Sequence, residues 1–95
     1  MNNAEIIKNE LAKYIIVLRD GLINCNRAEE RPLYNHHLAI AAIMFAEIQI
    51  EFSIAKLKET VTSERRGYGW SYISDAGGLA CERAFYKFAA IVENI

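Results

Sequence analysis

The stretch Arg65-Arg66-Gly67-Tyr68-Gly69-Trp70-Ser71-Tyr72 is the best candidate for chemistry in this sequence. The guanidiniums of Arg65 and Arg66 can fork onto a carboxylate or a phosphate. Tyr68, Trp70 and Tyr72 can stack on a ring or anchor an interface. The two glycines let backbone N–H groups reach a ligand, and a helix start just beyond them favours an anion. The competing reading is a glycine turn in which Trp70 closes the core and both arginines are solvated. Residue types alone do not choose between the two.

His36-His37 is the next feature a chemist would stop at. Neighbouring positions on a helix point about 100° apart, so such a pair does not chelate one ion comfortably. The positions one turn on hold Ile40 and Ala41, which supply no further ligand. Glu47 and Glu51 form an i, i+4 carboxylate pair, but the residue three after Glu47 is Ile50 and no Glu-x-x-His motif occurs. Cys25 and Cys81 fall on apolar helix faces, where a thiol behaves as a small hydrophobe. The sequence therefore predicts no metal site and no cofactor.

Catalysis is not expected either. Nucleophilic chemistry needs a nucleophile, a base and an orienting group in one pocket. Ser71 and Ser74 read as helix caps, and no Gly-x-Ser-x-Gly, phosphate loop or His-Glu-x-x-His is present. A 95-residue helical chain rarely builds a catalytic cleft alone.

Composition narrows the class of protein further. The chain is 53% hydrophobic and 11% aromatic, which opposes disorder and leaves apolar surface in need of cover. Eleven basic residues against twelve acidic ones give a net charge of -1. With no block of like charge, the sequence argues against nucleic-acid or anionic-membrane partners. Two cysteines do not make a disulfide framework, so they are expected to be reduced. The longest apolar run, Leu38 to Ala46, falls well short of the roughly 20 residues of a membrane span. No basic leader opens the sequence, and the cytoplasm is the expected location.

Three helical segments must position these groups. The first runs from Ala4 to Cys25, with Ala4, Ile7, Leu11, Tyr14, Ile15, Leu18, Leu22 and Cys25 on one stripe. Pro32 suits the first turn of the second segment, which continues to Ser63. That segment is apolar all round at its start. Further on it carries two nearly opposite faces, Ile48 and Phe52 against Ile50, Ile54, Leu57 and Val61. Glu47 to Ile54 also alternates with period two, a strand template, but the flanks are strong helix formers and no partner strand is evident. The third segment runs from Ser71 to Asn94, with Ile73, Gly77, Cys81, Ala84, Phe85, Phe88, Ile91, Val92 and Ile95 as its stripe.

The expectation is thus an all-α fold, a single domain over residues 1–95, with three antiparallel helices and a long central one. Two short neighbours cannot cover both faces of that central helix. A helical homodimer or higher oligomer is expected, with Ile48, Ile50, Phe52, Ile54, Leu57 and Val61 at the interface. The expected function is that of a small non-enzymatic binding protein acting through contacts with another protein, an adaptor or small inhibitor of the sort carried by phages and mobile elements. The alternative is a small anionic-ligand or nucleotide-binding module using Arg65 to Tyr72.

Overall fold

A computed structural model describes residues 2–67 and 76–95. Among them are four α-helices and no strand: α1 (Asn3–Ile23), α2 (Arg31–Ile50), α3 (Ile54–Gly67) and α4 (Ala76–Glu93), with a short 3-10 turn at Ala28–Glu30 before α2. None of these helices is long and apolar enough to cross a membrane.

Local chemistry starts and stops α1. The Asn2 side chain accepts from the Glu5 backbone N–H at 2.9 Å, and the Glu5 carboxylate lies in the positive first turn. At the far end the Asn24 side-chain amide and its backbone N–H both donate to the Asp20 carbonyl, at 2.9 and 3.1 Å, closing the last turn. Between these ends Ile7, Leu11, Tyr14 and Leu18 recur at helical spacing and are buried. Ile16 and Ile23, which fall off that stripe, are exposed.

The buried stripe of α1 is shared by two neighbours, because α1 packs extensively against both α2 and α4. Tyr14 meets Phe85 and Phe88 of α4, with ring centroids 5.8 and 6.2 Å apart. Farther along α1, the Cys81 thiol donates weakly to the Val17 carbonyl at 3.7 Å. Contacts that run backward along one helix as they run forward along the other make the pair antiparallel. Cys25 and Cys81 are both free and buried. On the α2 side, Gly21 is buried beneath the Tyr34 ring, and a Cβ there would overlap the ring edge. The glycine that weakens the end of α1 is what lets α2 come close.

The main departure from expectation lies between residues 51 and 53. The segment from Pro32 to Ser63 is two helices, not one, so the three-helix arrangement gives way to four among the described residues. At the junction Glu51 takes an extended backbone (φ -152°, ψ 106°), while its N–H still donates to the Glu47 carbonyl at 2.9 Å. Ser53 then opens α3: its hydroxyl accepts from the Lys56 N–H at 3.3 Å and its carbonyl from the Leu57 N–H at 3.1 Å. The cap explains the break. Ser53 competes for backbone donors, and β-branched Ile48, Ile50 and Ile54 weaken the helix around it. Phe52 and Leu57 also occupy the two positions of a hydrophobic staple about that cap.

The elbow disposes of the two opposed apolar faces. Ile48 is buried as the last core residue of α2, and Leu57 and Val61 are buried as the core face of α3. The Glu47–Lys56 ion pair, 3.2 Å, ties the helices beside the elbow, and α3 packs on α4 as well.

Gly21→Ala tests the packing directly. Helix propensity alone would raise stability by about 1 kcal/mol, whereas overlap with Tyr34 should cost about 1–3 kcal/mol. We expect a net loss in urea denaturation. A gain would mean that the Tyr34 ring moves aside freely.

Candidate functional site

Glu64 and Arg65 are consecutive on α3 and reach to different helices. The Glu64 side chain turns to α2, where its Oε2 lies 2.8 Å from His37 Nδ1 and its Oε1 lies 3.8 Å from His36 Nε2. The first distance is a charge-assisted hydrogen bond, and the second is too long for one. Arg65 turns to α4, donating through Nε and Nη2 to the two carboxylate oxygens of Glu93 at 3.1 and 3.0 Å. Its guanidinium also lies 5.1 Å from the centre of the Tyr86 ring.

The two contacts differ in environment. Arg65 and Glu93 are about two-fifths exposed, so water screens the pair and its contribution to stability is small. His37 is 2% exposed and the Glu64 side chain 11%, so that pair is held in a drier place. His36 is on the surface, 62% exposed, with its ring edge against the His37 ring at 5.1 Å between centroids. Among the described residues, the Glu64 carboxylate has these two imidazoles as its partners.

His36, His37 and Glu64 therefore present three potential ligand atoms within 4.8 Å of one another. Adjacency and i+4 spacing led to the expectation of no metal ligand set around the histidines, and that reasoning considered one helix at a time. The third group comes from 27 residues downstream, carried back by the elbow. Its signal in the sequence was slight: a carboxylate at a position, Glu64, that shares a helix face with Leu57 and Val61.

South of this cluster, toward the elbow, α2 and α3 leave an open groove of about 400 Å³ between them, with Ile40 and Ile43 on one wall, Lys56 and Thr60 on the other, and Glu64 at one end. Ile43 is 58% exposed, and Ile50, two turns on along the same edge of α2, is 86% exposed.

The residues singled out from the sequence scatter across this surface. Of the expected interface set, Ile50 and Phe52 are exposed and Ile54 is half-buried, while Ile48, Leu57 and Val61 belong to the chain's own core. Of the expected binding set, Arg65 is held by Glu93. Arg66 is exposed beside an open depression on α3 that Lys58, Thr62 and Ser63 also line. Tyr68, Trp70 and Tyr72 lie outside the described residues. No family model matches the chain, and no curated protein or solved structure is significantly similar to it.

The contrast between the two contacts predicts unequal mutants. Glu64→Ala leaves a buried imidazole without its carboxylate and should cost about 1–3 kcal/mol. Arg65→Ala should cost less than about 1 kcal/mol. Equal losses in parallel denaturation curves would show that the buried pair has no special weight.

Proposed function

We propose that this chain is a small non-enzymatic binding protein that acts through protein–protein contacts as a homodimer in the cytoplasm, in the manner of an adaptor or small inhibitor. The observation that carries the reading is the apolar edge of α2, where Ile43 and Ile50 are 58% and 86% exposed and Phe52 follows at the elbow. Covering such side chains returns roughly 25 cal/mol per Å² before the costs of association.

We take the interface to be Ile50, Phe52 and Ile54, which lie outside the buried core, joined by Ile43. Glu47 and Lys56 flank Ile50, so this edge carries both signs of charge beside its apolar residues. A surface with both signs can complement itself across a two-fold axis, which is why a second copy is the occupant we favour. An anionic ligand is a second reading, supported by Arg66 and Lys58 beside the depression on α3. Arg65 supports it less, since Glu93 already takes both edges of its fork.

Light scattering at micromolar concentration tests the homodimer. We expect a mass of two 10.8 kDa chains for the unaltered protein. Ile50→Glu should give one chain with its helical circular dichroism intact. A single-chain mass for the unaltered protein, constant across dilution, would overturn the homodimer.

A further inference from the structure

We propose that His36, His37 and Glu64 form a binding site for one divalent transition-metal ion of the zinc type, joining α2 to α3. This site is separate from the α2 edge and does not depend on the docking reading.

The donor set has the right chemistry. Two imidazole nitrogens and a carboxylate oxygen are borderline ligands that suit zinc and its neighbours in the transition series, and three such ligands leave a fourth position for water. The geometry is close to what an ion needs. Tetrahedral zinc with ligands at about 2.0–2.1 Å places their atoms roughly 3.3 Å apart. Here His37 Nδ1 and Glu64 Oε2 must open from 2.8 Å, and the one ligand atom from each of the three residues, all within 4.8 Å of one another, must otherwise draw in. His36 is exposed and free to swing, while His37 and Glu64 are held by the packing of their helices.

The use of different ring nitrogens answers the objection from adjacency. His37 offers the near nitrogen, Nδ1, and His36 the far one, Nε2. Two rings that leave the helix about 100° apart can therefore converge on one carboxylate.

Electrostatics supplies the independent reason. A largely buried carboxylate is costly unless a positive charge accompanies it. Among the described residues no lysine or arginine reaches Glu64, and its two partners are imidazoles. A dication held by all three groups would compensate the carboxylate charge and replace the 2.8 Å hydrogen bond with two coordination bonds, the neutral His37 ring binding through Nδ1 and keeping its one proton on Nε2.

The test uses untagged, chelator-stripped full-length protein. Calorimetric titration with zinc chloride should show one ion per chain, and zinc should raise the melting temperature. Cobalt(II) should give visible d–d absorption without a thiolate charge-transfer band, since both cysteines are buried away from solvent. His36→Ala, at an exposed position, should leave the metal-free melting temperature nearly unchanged and weaken zinc binding on the order of 100-fold or more. Glu64→Gln, which preserves a hydrogen-bonding side chain at that place, should weaken it similarly. Absence of binding in molar excess of zinc would overturn the proposal. So would unaltered affinity in His36→Ala, or a thiolate band with cobalt.

Discussion

A straight helix from Pro32 to Ser63 would set Ile48 and Leu57 half a turn apart, one facing a neighbour and the other facing water. The need to cover both is the constraint from which the arrangement follows. Three residues, Glu51 to Ser53, meet it by ending one helix and capping the next. Ile48 then closes the core under α2, and Leu57 and Val61 close it under α3. The same bend returns α3 alongside α2, so that carboxylates at both ends of the pair find partners on the facing helix: Glu47 with Lys56, and Glu64 with His37.

The helix that gains most from this folding is α1. It shares its one apolar stripe between α2 and α4, through an aromatic cluster on one side and a glycine on the other. In so short a chain the core is small relative to the surface, and a single helix serving two partners keeps it contiguous. The core of aromatic rings, branched aliphatics and two thiols has few polar intrusions. Glu30, His37 and Glu64 are the buried polar residues among those described. Two of those three belong to the site between α2 and α3.

What could be read from the sequence was local. The α1 stripe through Ile7, Leu11, Tyr14 and Leu18 and the α4 stripe through Cys81, Phe85, Phe88 and Val92 are buried as their 3.6-residue period requires. The period-two run from Glu47 to Ile54 was ambiguous because a bend between two helices, like a strand, exchanges one face for another within a few residues. Ser53 carried the decisive information, yet one serine among good helix formers is a weak mark when weighed by propensity alone. The meeting of Glu64 with the histidines was barely legible, its one trace being a carboxylate on the face of Leu57 and Val61. It depends on the angle at the elbow, and spacing arguments extend only along one helix. The reverse holds for Arg65, whose chemistry was plain from the sequence while its engagement by Glu93 was not.

Glu64 and Arg65 have a mechanical consequence beyond their separate contacts. Side chains one residue apart leave a helix about 100° apart in azimuth. One of these two is tethered to α2 and the other to α4. Rolling α3 about its own axis would disturb both contacts. The two act like unequal stays on different bearings from one mast, the buried Glu64–His37 contact the firmer and the screened Arg65–Glu93 pair the slacker, in an orientation that keeps Leu57 and Val61 turned inward.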